Sequence, residues 1–193
     1  MTFRLSLSAA SAFAAVLACM APTAARADAI YLIWPGVVGT ETIPTAPSVP
    51  GAIALNTYGQ SFSNPSAGFQ TVTPKFQCNG ITLSKQADGT TASFVSATLK
   101  ITTIPKLTVR FTTPGVIAGT TFVPVEIVVL NAQIVRVSQS IDASAGGTAT
   151  LNDSVKLLAT TFEVTSAAQT PTGAITSISK FGWNCVSGVA VPF

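Results

Sequence analysis

Apolar and polar residues alternate between residues 106 and 111. Leu107, Val109 and Phe111 fall on one side, and Lys106, Thr108 and Arg110 on the other. A period of two predicts a half-buried strand. "TFVPVEIVVLNAQIVRVS" (121–138) is a longer β-branched run. Its polar Asn131 and Gln133 interrupt the face set by Val129 and Val135, which predicts a bend or bulge. In "SVKLLATTFEVT" (154–165), Val155 and Leu157 keep one phase while Phe162 and Val164 keep the other. A one-residue shift of that kind predicts a second bulge. "IYLIW" (30–34) and "AITSISKFGWN" (174–184) read as the first and last strands. Between them, "SKQADGTTASFVSATLK" (84–100) turns at Asp88-Gly89. A short helix over Ala92 to Lys100 is expected next, although its Thr and Val content disfavours one.

Turn residues fill the gaps. "PGVVGTETIPTAPSVP" (35–50) is crowded with proline and glycine and is predicted to be a long loop, neither helix nor central strand. "DASAGGTAT" (142–150) and "SAAQTPTG" (166–173) read as the next two flexible stretches. No period of solenoid length recurs. Strands with loops between them predict an all-β class, mainly β with one short helix, built as a barrel or sandwich.

The N-terminus changes the compartment. Met1 to Arg4 are basic, Leu5 to Met20 are apolar and too short to span a bilayer comfortably, and Ala25-Arg26-Ala27 supplies a small-x-small cleavage pattern. Residues 1–27 therefore read as a signal peptide cut between Ala27 and Asp28, with 28–193 as a single domain. Lipidation at Cys19 is the rival reading. A retained N-terminal helix is another. A domain of this size buries about 70% of the surface its unfolded chain exposes. No stable membrane span is expected in the remainder, which points to a periplasmic or extracellular location. The formal charge of +3 drops to +1 once Arg4 and Arg26 leave with the signal. The remaining basic residues are scattered singly, so no nucleic-acid partner is implied. Low net charge favours association.

Candidate chemistry is sparse. The chain has no histidine, the usual base near neutral pH, and none of the nucleophile, phosphate or calcium motifs occurs. Glu126 and Glu163 are the pair that neighbouring strands could bring together as glycosidase carboxylates, with two solvated strand charges as the plainer reading. No catalytic residue, cofactor site or metal site is assigned, and no enzyme is expected. After signal removal Cys78 and Cys185 remain, and two cysteines in an exported chain predict a disulfide. Two buried free thiols are the alternative. For a closed loop of about 100 residues, such a bond is worth up to about 4.7 kcal/mol.

The order of segments then becomes familiar. "IYLIWPGVVGT", "TLSKQADGTTASFVSATL", "PKLTVRF", "VEIVVLNAQIVRVSQS", "NDSVKLLATTFEVTS" and "FGWN" follow one another as in the Hcp family, the tube protein of type VI secretion systems, which this chain resembles. The second segment is similar to that family's strand, turn, Lys/Asp pair and short helix. The resemblance implies an Hcp-like β-barrel of two sheets flanked by a helix. It also implies a hexameric ring, rings stacked into an expelled tube, and secretion-apparatus or effector proteins as partners. In such a ring, Lys106, Thr108 and Arg110 become candidate contact residues between subunits. Three features depart from the family: the export signal, Asn152-Asp153 near the place of a usual glutamate, and the pair Cys78 and Cys185. The expected role is an exported, non-enzymatic structural protein that self-associates or docks on a secretion or surface assembly. A monomeric binding module using the 35–50 loop is the alternative. A fibre subunit polymerising by strand exchange is the third.

Overall fold

The computed structural model describes residues 29–45, 47–63, 77–143 and 149–192. Residues 1–27, read above as a signal peptide, the Ala27/Asp28 junction and Cys19 lie outside the described residues. Eleven strands and one helix follow in order: β1 (Ala29–Ile33), β2 (Glu41–Ile43), β3 (Val49–Leu55), β4 (Thr57–Ser63), β5 (Gln77–Gln86), α1 (Thr91–Leu99), β6 (Thr103–Pro114), β7 (Thr121–Ala143), β8 (Ala149–Leu158), β9 (Thr161–Gln169), β10 (Ile175–Asn184) and β11 (Val189–Ala190).

The strand neighbours close a barrel. β1 pairs with β6 on one side and β3 on the other. β3 runs through Asn56 into β4, which pairs with β5, and β5 pairs with β8. β8 pairs with the second half of β7, and β7 returns to β6. The two expected sheets are thus joined through strands that pass from one to the other. The longest of them, β7, changes neighbour midway: residues 125–130 pair with β9, and residues from 133 onward pair with β8.

The switch is where the polar pair predicted it. Asn131 takes the left-handed backbone conformation, φ 49°, which Asn tolerates better than most residues. Pro105, with no N–H to donate, falls opposite it between the Ile104–Ala132 and Lys106–Leu130 pairs. A break in the ladder suits both residues.

The interior is apolar. Leu32, Ile53, Leu83, Leu107, Val129 and Leu157 belong to one buried cluster. Helix α1 covers it with Phe94 and Ala97, and Phe94 meets Trp34 edge-on at 5.1 Å between ring centroids.

Several sequence expectations change. Residues 154–165 are two strands, not one bulged strand. β8 ends at Leu158 and β9 begins at Thr161, so the phase shift records a corner between sheets. The 35–50 segment contains β2 and the start of β3, although β2 is a short edge strand and Pro50 sits at a register shift. β9 continues to Gln169, and residues 166–169 are therefore not loop. β7 runs to Ala143 and β8 starts at Ala149, which narrows the 142–150 stretch from both ends. Finally, β10 is followed by the two-residue β11.

Candidate assembly interface

Strands β9, β10 and β11 leave the barrel as a wing. Only β9 continues the ladder to β7, over residues 125–130 and 161–166. β10 pairs with β9 and, at Trp183 and Asn184 alone, with β11. From Ile175 to Phe181 the outer edge of β10 therefore has no ladder partner among the described residues, and all of those residues are exposed. Ile175, Ile178 and Phe181 leave 60%, 58% and 48% of their surface in solvent. Lys180 is the only charge between Thr170 and Phe193. A strand edge of this kind is a template for pairing with another chain.

The wing is tied to the barrel at one end. An aromatic row runs from Phe62 on β4 through Phe162 on β9 to Phe181 and Trp183 on β10, with successive centroids 4.7, 6.0 and 6.2 Å apart. Directly after β10, Cys185 is bonded to Cys78 on β5, with the two Cα atoms 5.7 Å apart. The Cys185 N–H donates to the Thr160 carbonyl at 2.7 Å, holding the cystine against the β8–β9 corner. Near Cys78 the β4–β5 register shifts between Gln60 and Phe62. Gly80 lies in that shift with φ 95°. A Cβ there would stand 3.1 Å from the Leu157 carbonyl, so the bend that carries Cys78 requires glycine.

At the far end of the same strand order lies β2, whose one ladder partner among the described residues is β3. Glu41 and Thr42 on it are exposed, as is Val38 in the preceding loop. The sheet therefore ends in an acidic edge on one side and a lysine-bearing edge on the other.

The face of β6 expected to make contacts is only partly open. β6 is a central strand between β1 and β7. Thr108 is flanked there by Ile33 and Val128 and is only 8% exposed. The alternation placed it correctly on the polar side, but it could not reveal that neighbouring strands cover that side. Lys106 is exposed, and Arg110 is taken up by its cross-strand partner Glu126, to which its Nε donates at 2.6 Å. Glu126 lies opposite Thr165 and Glu163 opposite Val128. The two carboxylates of the pair suggested by the sequence are thus diagonal neighbours on one face of β7 and β9, not directly opposed, and Glu126 is engaged by Arg110.

A buried ion cluster was legible only in part. Lys85 and Asp153 face each other across the β5–β8 ladder, 1% and 0% exposed, with Nζ 3.2 Å from the carboxylate. Lys85 also donates to Asp88 at 2.8 Å and to the Gln86 carbonyl at 2.7 Å. Asp153 further accepts from Thr91 and Gln139, and Asp88 from Thr90. Burial pushes both carboxyls up. For Asp88 the bonds from Lys85 and Thr90, with the lysine charge, outweigh it and hold the carboxyl below its ordinary range. The bonds from Thr91, Gln139 and Lys85 do the same for Asp153. With the Lys85 donors engaged from within the chain, the cluster locks the loop before α1 onto the barrel. Among the described residues no acidic, histidine or cysteine cluster could hold a metal ion, and no helix is long and apolar enough to cross a membrane.

No protein-family model and no curated protein matches the sequence. Solved structures do. A type six secretion system protein superposes with a TM-score of 0.71 at 15% identity, covering 86% of this chain and 100% of its own. The fold is that of the Hcp proteins. Hcp1 from Salmonella typhimurium gives a TM-score of 0.66 at 12% identity, with 86% and 100% coverage. Secreted Hcp3 from Pseudomonas aeruginosa gives 0.55 at 10%, with 81% and 96%. At such identities the agreement concerns the Hcp fold, a mainly β barrel with one short helix.

Proposed function

We propose that this chain is an exported, non-enzymatic structural protein on the Hcp fold. Its copies join through sheet edges into closed rings, hexameric as the resemblance implies, that engage secretion-apparatus or effector proteins. The observation that carries this reading is β10, an outer strand with an unpaired edge, apolar side chains in solvent on both faces and a single lysine. A closed ring repeats one heterologous contact, so each subunit needs two different complementary surfaces. The β10 and β2 edges supply such a pair, with Lys180 on one and Glu41 on the other. Export rests on the basic start, apolar run and Ala25-Arg26-Ala27 of the N-terminus.

A second reading is a monomeric periplasmic or secreted binding module. It draws on the 35–50 segment, whose Val38 is 82% exposed.

The test begins with protein recovered after export. N-terminal sequencing is expected to start at Asp28; a lipidated Cys19 or a retained Met1 overturns the cleavage. Light scattering over a range of concentrations is expected to give a ring mass, with annular particles in negative stain. A monomer at the highest concentration would leave the binding module ahead.

A further inference from the structure

We propose that the Cys78–Cys185 disulfide is the device that permits assembly, keeping the chain monomeric while reduced and competent for ring formation once oxidised. The inference rests on the ring reading above and adds its regulation.

The wing is weakly attached without the bond. Its outer strands reach the barrel by no ladder of their own. β10 pairs only with β9 and β11, and β9 alone continues to β7. Among the described residues, the covalent tie from the end of β10 to the barrel wall is Cys185 to Cys78 on β5. Over residues 175–181 β10 is exposed on both faces, so little apolar burial holds it down. Strands with few buried contacts open locally long before a domain unfolds, and a lone hairpin is marginal in water. The barrel differs. Its apolar cluster contains neither cysteine, and Cys78 enters its ladder only at the start of β5, opposite Phe62.

A disordered edge binds a partner poorly, because ordering it must be subtracted from the contact energy. Tying the Cys185 end of the wing to β5 reduces that term before two copies meet. The aromatic row of Phe62, Phe162, Phe181 and Trp183 runs toward the tied end, so the bond also fixes the stack to the β4 side of the barrel.

The chemistry balances with a disulfide-bearing oxidant. One cysteine thiolate attacks the oxidant's disulfide and releases a thiolate. The second cysteine then attacks the mixed disulfide and releases another, so two protons and two electrons leave the protein. Thiols persist in a reducing cytoplasm and are oxidised outside it. Assembly would therefore wait for export.

The experiment uses residues 28–193 purified oxidised, the same protein after a phosphine reductant, and the Cys78→Ser/Cys185→Ser variant. Each is measured by light scattering at one concentration and by hydrogen exchange. Rings are expected for the oxidised form alone. Reduction should give monomers whose β10 amides lose protection while those of β1, β6 and β7 keep it. Returning the reduced protein to oxidised glutathione should restore the rings. Rings in both redox states overturn this inference and leave the ring reading intact. Monomers in both states overturn the ring reading and this inference with it. If the serine variant fails to fold, the reduced wild type still decides. Loss of protection throughout the barrel on reduction also overturns the proposal, since the bond would then hold the whole fold rather than the wing.

Discussion

Removing the Lys85 ammonium would leave the Asp88 and Asp153 carboxylates together with no cation between them. Breaking a buried ion pair by deleting one partner costs about 3–5 kcal/mol, because the remaining charge has lost both water and counter-ion. Lys85→Met is expected to lower stability by that amount in urea unfolding. Asp88→Asn should have a smaller effect, since that side chain is partly exposed. The pH dependence has a definite sign. Both carboxyls sit below their ordinary pKa of 3.8 when folded, so the folded state favours their ionised forms. Their contribution is complete above about pH 4–5, where the unfolded carboxyls are also ionised, and fades as pH falls through the folded values. Acid titration of wild type should show stability falling below the ordinary value, and Asp153→Asn should flatten that slope. Lys85, Asp88 and Asp153 were readable singly in the sequence. Their meeting was not, because the two aspartates are separated by the whole of β6 and β7, and only the β5–β8 register brings them to one lysine.

Among the elements, β7 shows what a period of two can and cannot reveal. The misplaced polar pair at Asn131 and Gln133 marked a real discontinuity, since a strand obeying one phase would bury both. What it could not name were the partners. Residues 125–130 choose β9 and residues after 133 choose β8 because the chain between those strands turns a corner at Ala159 and Thr160. The same corner made 154–165 read as one bulged strand. Strands β3, β4 and β5 went largely unseen for another reason: Pro50, Gly51, Gly59 and Gly80 break their alternation, and proline and glycine signal turns more strongly than strands. The Asn131 conformation is testable. Asn131→Ala places a Cβ-bearing residue with no compensating side-chain amide at φ 49°. It is expected to lose about 1 kcal/mol by the left-handed penalty. Asn131→Gly should stay close to wild type. Thermal unfolding of both variants reads the difference, and equal losses would remove backbone strain as the cause.

For the whole molecule, the sheet extends beyond the barrel on two sides, ending in β2 on one and in the β10–β11 wing on the other. The β2 and β10 edges arise because the sheet continues past β3 on one side and past β7 on the other. Natural proteins guard such edges with charge, and here each carries one: Glu41 on β2 and Lys180 on β10. In a ring built by edge-to-edge contact, residue 41 of one copy approaches residue 180 of the next. Glu41→Lys would set like charges against each other at every contact, and Lys180→Glu would do the same with opposite sign. An exposed pair is worth only about 0.2–1 kcal/mol, but closure repeats the loss around the ring. The measurement therefore belongs at low ionic strength, where screening is weakest. Either single reversal is expected to shift rings toward monomers, and both shifts should shrink as salt is added. The double reversal, Glu41→Lys with Lys180→Glu in the same chain, restores opposite charges between neighbours and should restore the rings. If the double variant is as dissociated as the singles, the two edges do not meet, and the contact lies elsewhere on the wing.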